Sequence, residues 1–316
     1  MTSIITKAAL ALTVSLAALS GVANAAEAES CGTVHFADVG WSDIAATTGT
    51  ASVILKALGY ETDVKVLSVP VTYQSLKNKD IDVFLGNWMP TMEADLKPFR
   101  DDKSVEVLRE NLEGAKYTLA TNEAGAALGI KDFADIAKNK DALENKIYGI
   151  EPGNDGNRLI LGMIDGDKFG LKGMEVVESS EQGMLSQVAK LSADNKPIVF
   201  LGWAPHPMNS NFKLTYLSGG DEVFGPNFGG ATVYTNVRAG YTNECPNVGA
   251  FLKNLKFTLE AENDIMKLIM NDGQEPEAAG TEWLKANPAV LDAWLAGVTT
   301  RDGGDAVTAV KSAVGL

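Results

Sequence analysis

The sequence predicts an α/β fold in two lobes with a ligand cleft between them, and three observations carry that prediction. Near-continuous apolar runs that read as strands alternate with helical patterns, which argues for a mainly parallel sheet covered on both faces. The alternation restarts after residue 111. A chain of 316 residues is also long for a single hydrophobic core.

Residues 1–25 read as an export signal rather than as part of the fold. Lys7 supplies the positive start, residues 8–23 form an apolar run, and Ala23-Asn24-Ala25 is a small-residue cleavage site. The apolar run falls short of the roughly 20 residues that a membrane-spanning helix needs. Cleavage after Ala25 and a periplasmic location are expected. Among the cleaved residues only Lys7 is charged, so the mature chain carries 26 basic and 41 acidic residues, a net charge of 26 − 41 = −15. That balance disfavours nucleic acid, whose phosphates need a basic face.

Two cysteines follow, Cys31 and Cys245. In an exported chain an even count favours one disulfide. Such a bond would hold the first and last parts of the chain in one lobe. The chain-entropy account gives roughly 5 kcal/mol, as an upper figure, for a loop that long.

Residues 33–39 read as a strand. Residues 44–58 read as a helix, with Ser42 or Asp43 near its cap and Gly59 just past its end. Strand 62–69, a short helix over 71–78 and strand 81–86 come next. The second series has strands at 116–121, 145–151, 174–179 and 197–203, with helices near 132–137, 157–165 and 181–193 between them. From Pro246 onward the pattern is helical throughout, and Trp283 and Trp294 sit there at core-like spacing. The expected division is residues 31–111 plus 211–316 in lobe 1 and 112–210 in lobe 2. A hinge of two chain crossings joins them.

Functional groups follow the strand-like runs. Trp41 lies in VGWSD, Trp88 in VFLGNWMP, Asn154 in PGNDGNR and Trp203 in VFLGWAPHP. In open α/β sheets ligands bind beyond the carboxyl ends of strands. Tryptophans there, with Asp43 beside the first, suggest an aromatic box for a small organic cation. A quaternary ammonium has no N–H to donate, whereas indole and phenol faces attract it at roughly 0.5–2 kcal/mol per ring. Residues 83–90 and 199–205 are also alike, each reading strand, glycine, tryptophan, proline. Two lobes could thus present equivalent aromatic walls.

Plainer roles compete. Asp43 could cap the helix that follows it. Asn154 could serve turn and cap chemistry, and Asp155 could share its role. Tyr117 begins a strand, where an ordinary β-former is expected. His35 and His206 are far apart and give neither a zinc spacing nor a triad, and His35 reads as packed inside a strand. No hydrolase, phosphate-loop or dinucleotide motif appears in a strand-to-helix context, so an enzyme is not expected.

The segments VGWSD, FLGNWMPT, YTLAT, PGNDGNR and FLGWAPHPMN closely resemble those of choline-binding members of the glycine betaine/choline family of ABC-importer substrate-binding proteins. The likeness covers essentially the whole mature chain. It implies a periplasmic binding protein fold, choline as ligand, and a membrane permease with its ATPase as partners. A monomer with neither cofactor nor metal is expected. The resemblance puts the trimethylammonium cage on Trp41, Trp88, Tyr117 and Trp203, the cage carboxylate on Asp43 and the hydroxyl-binding amide on Asn154. It also pairs Cys31 with Cys245. Apart from Arg158, which lies close to Asn154, no Arg or Lys lies in the cage segments, which favours choline over betaines, whose carboxylate needs donors. A glycine betaine or proline betaine binder is the alternative.

Overall fold

The computed structural model describes residues 27–316, so the export signal read at residues 1–25 lies outside the described residues. Its centre is one mixed sheet. Strands β1 (Thr33–Asp38), β2 (Glu61–Val66) and β3 (Val83–Met89) are parallel and form one half. Strand β4 (Val105–Asn122) is long and runs through to the other half. There lie β5 (Lys146–Tyr148), β6 (Glu175–Val177), β7 (Val199–Ala204) and the short β8 (Leu214–Tyr216). Strand β9 (Gly230–Arg238) returns the chain to the first half.

Among the described residues the order is β2-β1-β3-β9-β4-β7-β5-β6, with β8 also on β4. Residues 105–116 of β4 pair with β9, and residues 116–121 pair with β7, both antiparallel. The expectation of a mainly parallel sheet is therefore corrected. Each half has parallel strands, but the chain passes between halves on long antiparallel strands. The polar stretch VEVLRENLEG hid the first half of β4, because its register shifts against β9 break any clean alternation.

Helices cover the faces. The longer ones are α1 (Ser42–Ala57), α2 (Val69–Asn78), α3 (Glu93–Asp101), α4 (Phe133–Lys138), α5 (Asp155–Asp165) and α6 (Glu181–Ala193). The tail adds α7 (Pro246–Asn254), α8 (Leu259–Met270), α9 (Pro276–Ala286) and α10 (Ala306–Val314). Trp283 and Trp294 are buried there, with ring centroids 6.0 Å apart and nearly parallel. Cys31 and Cys245 form a disulfide with a Cα–Cα distance of 5.6 Å. His35 is not packed in the core. It is half-exposed and meets Asp82 with Nδ1 at 3.0 Å. Among the described residues no helix is long and apolar enough to cross a membrane.

Candidate ligand-binding site

The site forms where the carboxyl ends of β1 and β3 face β4, β7 and the start of α5. After β1 the chain turns at Gly40, whose φ of +82° lies in the region that glycine tolerates best. Its N–H donates to Asp38 Oδ1 at 2.6 Å. The turn leaves Trp41 extended at the N-cap position of α1. Asp43, two residues on, is 2% exposed. It does not cap the helix. Its Oδ2 accepts the indole N–H of Trp88 at 2.9 Å.

Trp88 and Trp203 belong to the ends of β3 and β7 rather than lying just past them. The β4–β7 register puts Tyr117 directly opposite Trp203, so the two rings are cross-strand neighbours. Their centroids are 6.3 Å apart, edge to face, and Trp88 meets Tyr117 the same way at 6.1 Å. The tryptophan–proline likeness between residues 83–90 and 199–205 is thus spatial as well. Each segment brings one indole to the site from its own half of the sheet, and each ends in a cis peptide bond, at Met89–Pro90 and Ala204–Pro205.

An empty volume of about 280 Å³ lies between Trp41, Asp43, Trp88, Tyr117, Ile150 and Trp203. The six side chains stand close around it, four of them aromatic, which suits a compact ligand. Five of the six residues predicted from sequence line it. The sixth, Asn154, lies behind Tyr117 as the N-cap of α5. Its Oδ1 accepts from the N–H groups of Gly156 and Asn157 and from the Tyr117 hydroxyl, the last at 3.0 Å. Its Nδ2 donates to Asp155 and Glu151 at 3.2 and 3.3 Å. Gly156 must lack a side chain, since a Cβ there would sit 2.1 Å from the Tyr117 hydroxyl.

Sequence reading missed three supports. Ile150 follows a short strand and carries no polar signal. Phe224 stands edge-on to Tyr117 at 5.9 Å, from a part of the chain read as mere return. Glu151 accepts the Trp41 indole N–H at 3.0 Å. The adjacent GIEPGN motif was the available signal for Glu151.

The electrostatics are one-sided. Burial, reinforced by the nearby Glu181 charge, pushes the Asp43 carboxyl up to about 7. Burial also pushes Glu151 up to about 7 and Asp155 up to about 6. Arg158 offsets only Asp155, and only in part, because it forks onto Asp95 with two bonds of 2.7 Å. Among the described residues no Lys or Arg lines the cavity. A cavity of aromatic faces with one unpaired carboxyl can bind an organic cation that brings no hydrogen-bond donor of its own.

Comparison with known proteins agrees with this geometry. The chain belongs to the family described as the substrate-binding domain of ABC-type glycine betaine transport systems, which matches residues 32–286. It is 72% identical to an ABC-transporter choline binding protein solved in complex with choline, with a TM-score of 0.91 over 92% of this chain and all of that one. An unliganded semi-closed structure of an ABC-transporter choline binding protein, also 72% identical, gives 0.84 over 91% of this chain and all of that one. Lactococcal OpuAC, closed on glycine betaine, is 25% identical with a TM-score of 0.75, covering 83% of this chain and 98% of its own.

Proposed function

We infer that this protein is the extracytoplasmic solute-binding component of an ABC importer and that its ligand is choline. The observation that carries this is the cavity itself: four aromatic rings, one buried carboxyl without a cationic partner, and no lysine or arginine in the described lining. The 72% identity to a choline complex supports the same reading. Trp41, Trp88, Tyr117 and Trp203 surround the trimethylammonium group by cation–π attraction, and Asp43 adds Coulomb attraction in a site that excludes water. Asn154 reaches the hydroxyl through Nδ2, whose two present bonds are long enough for a ligand oxygen to replace one. A betaine would bring its own carboxylate toward Asp43 and Glu151 and would find repulsion.

The lobes divide near residue 112, within β4. The return crossing is better placed on β9 than near residue 210, because β8 pairs with the same end of β4 as β7 does. Choline bridges the two lobes and favours their closure by its differential affinity. The closed protein then delivers it to a permease driven by an ATPase. The family supports that partnership and a periplasmic location, with binding rather than catalysis as the activity.

The decisive experiment removes copurified ligand by unfolding and refolding, then titrates choline and glycine betaine separately by calorimetry. Several rings at about 0.5–2 kcal/mol each, with Asp43, approach the roughly 8 kcal/mol of a 1 μM complex. Low-micromolar choline binding with much weaker betaine binding is expected. Equal or reversed preference would make this a betaine-binding protein, and binding of neither would overturn the ligand assignment.

A further inference from the structure

Helix α1 begins without a cap of its own. Its N-cap residue is Trp41, whose side chain makes no capping bond. The cap comes from 139 residues away. The Glu181 carboxyl accepts the Ser42 backbone N–H at 2.9 Å and also the Ser42 hydroxyl. Glu181 opens α6, in the other half of the sheet, yet α6 does not use this carboxyl as its cap. Ser180 already caps that helix by accepting from the Gly183 N–H.

A third donor completes the carboxyl's environment. His206 Nδ1 accepts the Met208 N–H at 2.9 Å, which leaves the ring hydrogen on Nε2. Nε2 lies 3.2 Å from Glu181 Oε1, and the His206 ring meets Trp203 edge to face with centroids 4.9 Å apart. Glu181 therefore touches both walls of the cage without lining it. On one side it holds the residue between Trp41 and Asp43, and on the other the ring that backs Trp203.

We propose that Glu181 is the closure latch, a positioning residue that caps α1 across the cleft and makes the closed arrangement of lobes the one in which the cage is assembled. Other contacts cross the cleft as well, among them Arg158 to Asp95 and to the Thr91 carbonyl, and Trp41 to Glu151. The Arg158 fork onto Asp95 is a bidentate pair with a nearly buried carboxylate, but the Arg158 side chain is 39% exposed and its charge stays partly hydrated. Glu181 is 1% exposed. Its bonds form in a dry interface and are exchanged for water when the lobes part. The latch acts through the closed population, since apparent affinity scales with the fraction of molecules in the binding-competent state.

The latch rests on the two-lobed reading above, and its test separates the two. Spin labels at exposed Lys97 and Lys190, one on each side of the cleft, report the distance between lobes with and without choline. Stopped-flow tryptophan fluorescence reports choline association and dissociation. Glu181→Ala is expected to lengthen the choline-free distance and to speed choline dissociation roughly ten- to a hundredfold, with association changed much less, because such effects fall mainly on the off-rate. Ser42→Ala, which removes the hydroxyl donor alone, should do the same to a smaller degree and add little to Glu181→Ala in the double variant. Unchanged distance and dissociation in Glu181→Ala would overturn the latch. If that variant fails to fold, unchanged behaviour in Ser42→Ala overturns it instead. Should the wild type not bind choline, the ligand assignment falls, while the choline-free distances still decide the latch.

Discussion

The two ends of β3 treat a buried aspartate in opposite ways. Before its first residue, Asp82 accepts from Arg238 Nε at 2.6 Å and from the His35 backbone N–H at 2.9 Å. Arg238 in turn reaches Glu244 at 2.8 Å and covers the Tyr241 ring. At the other end, the Trp88 indole N–H is, among the described residues, the one side-chain donor to Asp43, and another carboxylate, Glu181, stands nearby. Burying a charge is costly unless it is paired. The fold thus compensates the carboxyl that no ligand meets and leaves uncompensated the one that faces the cavity. In the proposed complex the ligand would supply the cation that Asp43 lacks.

That contrast can be broken from either end. The largest effect is expected at the paired end. Arg238→Ala strands Asp82 without its guanidinium and should cost about 3–5 kcal/mol of stability, read by urea unfolding, while the folded protein keeps its choline affinity. A loss of affinity with unchanged stability would reverse the assignment of roles.

At the ligand end, Trp203→Ala should weaken choline binding more than tenfold, or about 1.4 kcal/mol and upward, by calorimetry. Retained affinity would remove Trp203 from the cage.

Asp43→Asn comes next. It should lower choline affinity by a smaller factor and narrow the ratio between choline and betaine. An unchanged ratio would sink the account of selectivity. The same residue sets a pH dependence. With its folded value near 7, Asp43 keeps a proton in the empty protein below that pH, whereas a bound cation favours the ionised form. Choline binding therefore expels a proton, and affinity should rise from pH 5 toward pH 8 and then level off. Stability of the empty protein runs the other way. The unfolded chain releases this proton near 3.8, so Asp43 contributes stability at low pH that is lost as pH rises through about 7. The Asn variant should flatten both slopes, leaving the part that Glu151 and Asp155 contribute in the same range.

The smallest effect belongs to Tyr117→Phe. It keeps the ring and removes the hydroxyl's bond to Asn154, and should cost choline affinity no more than a few-fold, the lower part of the about 0.5–1.5 kcal/mol range of a hydrogen bond, because that bond supports the ring and does not touch the ligand.

Much of this site was legible locally. Tryptophans after apolar runs, a turn glycine before Trp41 and an acid two residues later are short-range patterns, and strand and helix order follows from apolar periodicity. The cysteine pair was legible because compartment and count leave one bond to form. Only the tertiary structure decided what depends on distant partners. It set the mixed direction of the sheet, since antiparallel pairing of β4 with β9 and β7 is a matter of chain path and not of residue type. It opposed Tyr117 to Trp203, because register is a relation between two strands. It also turned Asn154 toward Tyr117 and brought Glu151 and Glu181 across 110 and 139 residues to Trp41 and Ser42. Such contacts carry no local signature. A glutamate that opens one helix reads as surface until the fold sets the start of another helix against it.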